Sequence, residues 1–166
     1  MRMFKAFVVF IGLMFSAVSV AEEMTEELAA KQMGVLLKSY YSPTLKTLQK
    51  LGTIVPYVAY VKTDGTLGHF DLEGAQPTFD IEQIGKYISV LYGKILPKRE
   101  EYLVISVFAV TQIQLEGKPI FALTAMMEHQ AGFGYQKVWP LEETSEGLKI
   151  SKPIQIKYNP VIYADN

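Results

Sequence analysis

The chain contains no cysteine. No disulfide can staple it, no thiol can act as a nucleophile, and the cysteine-borne lipid anchor of bacterial lipoproteins is excluded. Arginine is almost as scarce, being confined to Arg2 and Arg99. Forked guanidinium groups are the usual grip on phosphates and carboxylates, so acidic ligands are a poor fit. Histidine occurs twice, at His69 and His129. There is no G-x-S-x-G elbow, no HExxH or HxH spacing, no glycine-rich phosphate loop and no repeat at solenoid periods.

What is present begins with a leader-like segment. Arg2 and Lys5 precede an apolar run from Phe7 to Phe15, and Ser19-Val20-Ala21 supplies the small-x-small pattern of a cleavage point. Residues 1–21 therefore read as a signal peptide, which predicts a periplasmic or secreted protein with no stable membrane anchor after cleavage. Without Arg2 and Lys5, 14 of the 16 basic residues face 17 acidic ones, a net charge of −3. That balance argues against nucleic acid as a partner. Residues 22–166 are the right length for one domain with its own core.

Along that domain, Leu28, Val35, Leu36, Tyr40, Leu45 and Leu48 recur at helical spacing, with a kink or break expected at Ser42-Pro43. VPYVAYVKTDGTLGHFDLEG, residues 55–74, carries an Asp64-Gly65 turn between two β-rich runs, which is a hairpin signal. Ile81, Ile84, Ile88, Leu91 and Ile95 mark a second amphipathic helix, with Asp80 as cap, Gln83 answering it and Pro97 as stop. From Tyr102 the period becomes two: Leu103, Ile105, Val107, Ala109, Ile113 and Leu115 predict one strand, residues 120–128 a second, and Phe133 to Trp139 a third that ends at Pro140. An irregular tail follows from about residue 142, within which 147–150 and 154–158 suit short edge strands. The expected fold is α+β, an antiparallel sheet of about five strands covered on one face by two helices.

Four side chains invite a chemical reading. Glu128 and His129 are adjacent, but consecutive strand residues point to opposite faces, and the turn signal at Gly132 predicts a solvated His129 on a hairpin rim. His69 and Asp71 share a face of the hairpin and, with His129, are the candidate metal ligands; no recognised spacing supports them, so no metal and no cofactor are expected. The aromatic row Phe133, Tyr135 and Trp139 is the candidate binding surface, read against a plain role packing under the helices.

PYVAYVKTDGTLGHF, followed by VFAVTQIQLEGKPIFALTAMMEHQAGFGYQKVWPL, resembles a set of small uncharacterised bacterial proteins. These have a long helix, a "PFAxxxxxDG" hairpin, a second helix and a strand pair ending in an acidic residue before a final strand closed by proline. The matching positions are Pro56, Tyr57, Ala59, Asp64, Gly65, Glu128, Gly132 and Pro140. The resemblance implies the same architecture and no particular activity.

The sequence thus points to an exported, non-catalytic binding or interaction protein of the inhibitor, immunity or assembly-helper kind, its partner a protein or a small apolar ligand held in a groove between helices and meander. Two alternatives stand beside it: a small hydrolase, isomerase or ligand-binding domain with a cavity between sheet and first helix, using His69, Asp71, Glu128 and His129, and a structural homo-oligomer formed through an exposed strand edge.

Overall fold

The computed structural model describes residues 24–145 and 147–164. The expected signal peptide, residues 1–21, lies outside the described residues. Among the described residues no helix is long and apolar enough to cross a membrane.

Helix α1 spans Glu26–Leu51, capped by the Thr25 side chain, which accepts from the Leu28 N–H, and closed by Gly52 at φ 77°, whose N–H reaches the Leu48 carbonyl. Of the kink or break expected at Pro43, the break does not occur: the helix runs through it. Pro43 and Ser39 both lie on the exposed side, so the carbonyl that loses its donor faces water. One residue on, the buried Thr44 hydroxyl bonds back to the Tyr40 carbonyl at 2.5 Å and meets the Tyr57 hydroxyl. These contacts hold the turn through the proline.

Strands β1 (Tyr57–Lys62) and β2 (Leu67–Asp71) form the expected hairpin. Gly65 takes φ 85° and Asp64 accepts from the Thr66 N–H at 2.9 Å, which is the turn chemistry that Asp-Gly supplies. Helix α2 (Ile81–Ile95) is capped by Asp80, whose side chain accepts from Glu82 and Gln83 N–H; the Asp80 N–H itself is taken by the Thr78 hydroxyl rather than by Gln83. Pro97 opens a 3₁₀ turn, Leu96–Glu101, that leads into the sheet.

Strands β3 (Tyr102–Leu115), β4 (Lys118–His129) and β5 (Phe133–Thr144) form the central meander. Two short strands, β6 (Gly147–Ile150) and β7 (Ile154–Lys157), both pair with β5. The antiparallel sheet runs β2-β1-β3-β4-β5-β6 with β7 also beside β5, curling as a half-barrel of seven strands. The α+β antiparallel architecture holds, and the strand count exceeds five because the tail beyond residue 142 adds β6 and β7. Strand β5 runs through Pro140. Its carbonyl accepts from Ser151 on the outer edge, and a residue's N–H and C=O point the same way in a strand, so the missing donor falls in the gap between β6 and β7.

The helices do not share a face. Helix α1 buries Ala29, Met33, Leu36 and Leu48 against Ala59, Val61, Val104, Phe108, Leu123 and Trp139. Helix α2 buries Leu91 and Ile95 with Val58, Ile105, Val107 and the C-terminal Ile162 and Tyr163. The two sets alternate along β1 and β3, so each strand sends one parity to α1 and the other to α2. One-sided coverage is thereby corrected: the sheet is sandwiched between α1 on one side and α2 with the C-terminal segment on the other.

The outer edge holds a further change of parity. Leu141 pairs with Ile150 and Val138 with Ile154, three residues on β5 against four on the returning chain. This one-residue bulge turns Leu148 and Ile150 toward the α1 core, and Ile154 and Ile156 to the opposite face, where they stand 41% and 49% exposed.

Candidate functional site

Strand β4 ends on two buried ionisable side chains. Glu128 and His129 are 0% and 1% exposed, so neither sits on a solvated rim. As consecutive strand residues they project to opposite faces and cannot act on one another.

His129 faces α1. Its Nδ1 accepts from the Ala131 N–H at 3.0 Å, and its Nε2 lies 2.7 Å from Gln32 Oε1. With Nδ1 occupied as an acceptor, Nε2 carries the proton and donates to Gln32. Burial pushes the ring down to about 4 from an ordinary 6.5, which keeps it neutral. The expected solvation fails because His129 is still the last residue of β4, on the parity that faces α1, and the tight turn after it, with Gly132 at φ 83° and its N–H on the His129 carbonyl, brings the Ala131 N–H back onto the ring. Both ring nitrogens are committed, which leaves no lone pair for a metal.

Glu128 faces the other way, beneath the chain's last described residues. Its Oε1 accepts from the Tyr158 hydroxyl at 2.9 Å and its Oε2 from the Ile162 N–H at 2.7 Å. Its register partner Gly134 lets the chain cross at this point: a β-carbon there would stand 2.5 Å from the Tyr158 carbonyl oxygen. The segment is then locked by Tyr163, whose hydroxyl donates to the carbonyls of Tyr102 and Arg99 at 2.8 and 3.1 Å, and by Arg99 Nη1, which donates to the Ile162 carbonyl at 3.3 Å. Burial first, and then the neighbouring Glu128 carboxylate, hold the Tyr163 phenol well above its ordinary range. The Tyr92 and Tyr158 phenols are raised for the same reasons, which keeps all three as donors. Residues 158–163 are thus a strap pinned by a buried carboxylate.

His69 and Asp71 lie on the exposed hairpin, on the α1 side as their shared parity requires. His69 rests edge-on against Tyr40 and Tyr57, with ring centroids 5.6 and 6.2 Å away. Three strand spacings, roughly 14 Å, separate β2 from β4, so His69 and His129 do not converge. Among the described residues no group of three or more His, Cys, Asp or Glu could hold a metal ion.

The aromatic row packs under α1. Trp139 is buried and stacks on Tyr41, with centroids 4.8 Å apart and planes at 23°. Phe133 and Tyr135 are half-buried against the same core. Tyr135 donates to Glu26 at 2.6 Å, a carboxylate that also takes Lys157 at 2.9 Å, and that bond pushes the phenol up to about 12. Two open depressions, of about 450 Å³ between α2 and residues 72–75 and about 490 Å³ at the β5–β6 turn, involve none of these side chains. With the helices on opposite faces, no single groove lies between both helices and the meander.

Neither Glu128 as a buried anchor nor the strap across it was anticipated. The available signal was an acidic residue inside the apolar run TAMMEH, which a strand buried on both faces tolerates only when the acid has partners. No family model matches the chain, and neither a curated protein nor a solved structure matches it significantly.

Proposed function

We propose that this chain is an exported, non-catalytic interaction protein whose partner is another protein. One observation carries the reading: the buried acid and the buried imidazole of β4 lie on opposite faces, and each is committed to the fold's own groups, Glu128 to the strap and His129 to Gln32 and Ala131. General acid–base work needs such groups to converge on a shared concave site with a free proton position. A protein partner is favoured over a small ligand because the depressions are open and the exposed apolar side chains lie on strand edges and helix surfaces, among them Val90, Ile154 and Ile156. Inhibition, immunity and assembly assistance all fit a surface of this kind.

The test is gentle purification from the native host after mild cross-linking, followed by native mass spectrometry beside an assay for hydrolysis and isomerisation on pooled substrates. A stoichiometric protein partner with no turnover is the expected result. Turnover that disappears in His129→Gln or Glu128→Gln would overturn the reading.

A further inference from the structure

The geometry points to β7 as a self-association edge, through which two copies of this chain join antiparallel about a two-fold axis at Gln155. The first observation is the bulge beside Pro140. In a regular return strand Ile154 and Ile156 would continue the parity of Leu148 and Ile150 toward the core; the extra residue instead puts both isoleucines outside. Lys157, the residue that would guard such an edge with charge, is turned toward α1 and paired with Glu26. An edge with its isoleucines exposed and its lysine paired to Glu26 is guarded only by its shortness and its flanking prolines.

The second observation is the direction of the backbone groups. The Tyr158 N–H donates to the Gly134 carbonyl, so this residue points inward to β5. By alternation Ile156 and Ile154 do the same, while the N–H and C=O of Gln155 and Lys157 point outward, where no strand pairs with β7 among the described residues. Pro153 also falls on the outward set, so its missing donor costs the β5 ladder nothing.

The third observation is self-complementarity. A two-fold axis at Gln155 places Ile154 opposite Ile156 of the second copy, and Ile156 opposite its Ile154, four isoleucines on one face. Gln155 meets Gln155 as a hydrogen-bonded pair. Lys157 meets Pro153, so its N–H donates to the proline carbonyl and no lysine faces a lysine. Pro153 and Pro160 bound the edge and keep the pairing short. So short a contact falls below the standard interface size of about 1,600 Å², and the expected dissociation constant is micromolar to millimolar. The inference is independent of any foreign partner.

Sedimentation equilibrium of the purified protein tests it, from about 10 μM to about 1 mM. The mass should rise toward a dimer, and Ile156→Lys and Ile154→Lys should each raise the dissociation constant at least about tenfold with circular dichroism unchanged. Because the chain is free of cysteine, Gln155→Cys gives a clean second readout: Cα atoms of a hydrogen-bonded antiparallel pair are about 5.5 Å apart, within disulfide range, so mild oxidation should yield one cross-linked dimer. A monomer at every concentration, a dimer indifferent to both lysine variants, or failure of Gln155→Cys to cross-link overturns the proposal. So does a β7 edge that pairs only with a foreign strand.

Discussion

His129 lies under a helix of 26 residues, whereas its neighbour Glu128 lies under six residues of irregular chain. Helix α1 closes its face with a broad apolar stripe, and the few polar groups caught beneath it, such as His129 with Gln32 and Thr44 with Tyr57, add to a closure that apolar area already supplies. The strap from Tyr158 to Tyr163 buries just two side chains fully, Ile162 and Tyr163. At about 1.5–3 kcal/mol each they supply roughly 3–6 kcal/mol, against about 6–12 kcal/mol to order six residues. Hydrogen bonds to a charged acceptor contribute about 1.5–3 kcal/mol apiece, so the two on Glu128, with those of Tyr163 and Arg99, make up the difference. A small element with little apolar area is held by directional bonds, and a large one does not need them.

Glu128→Ala attacks the strap at its anchor and is the largest expected effect. It leaves the Ile162 N–H and the Tyr158 hydroxyl buried without acceptors, at a cost of about 4 kcal/mol. Urea unfolding should show that loss, and limited proteolysis should clip the C-terminal segment before the rest of the chain. A variant that keeps its stability and a protected strap would show that apolar packing closes this face as it does the other. Next in size, Gly134→Ala puts a β-carbon 2.5 Å from a backbone carbonyl and should cost about 2–3 kcal/mol. Amide exchange at Ile162 should accelerate in this variant while exchange in α1 is unchanged.

The same contrast explains what could be read in the sequence. The α1 periodicity, the Asp64-Gly65 turn, the Asp80 cap and the alternation of β3 and β4 are local patterns, and each formed its element. The arrangement of faces was also written, in β3, but by the residues skipped in a one-sided reading: Val104, Phe108 and Val110 interleave with Ile105, Val107 and Ala109, and both parities are apolar. A continuous apolar run means burial on both faces. The site itself was not legible. Glu128 meets Ile162, 34 residues on, and His129 meets Gln32, 97 residues back; no local pattern encodes those pairings. The outward turn of Ile154 and Ile156 depends on a single bulge residue, and a one-residue slip inverts every side chain after it.

On the α1 face the comparison is sharpened by pH. His129 is held neutral with a folded pKa of about 4 against an ordinary 6.5. The unfolded chain therefore binds the proton first as pH falls, and stability that is fully present above about 6.5 is lost progressively down to about 4. The loss is on the order of 3 kcal/mol. Carboxylates titrate in the lower part of the same window, so the readout is the difference between wild type and His129→Gln in urea midpoints from pH 7 to pH 4. That difference should shrink as pH falls; a constant difference would mean that the imidazole is not held neutral by burial.

The smallest effect should carry the opposite sign. Ser106 lies on the α1 side of β3, level with Ala59 and Met127, and its hydroxyl is the buried side-chain group without a hydrogen-bond partner among the described residues. Removing a buried polar atom that makes no bond recovers its desolvation cost, whereas removing one that is bonded strands its partner. Ser106→Ala should therefore raise stability by about 1 kcal/mol, visible as a higher urea midpoint with an unchanged slope. A loss instead would mean that the hydroxyl does bind something under α1. In that case this face would hold one more buried polar contact beside those of His129 with Gln32 and Thr44 with Tyr57, and the contrast between the two would narrow toward one of area alone.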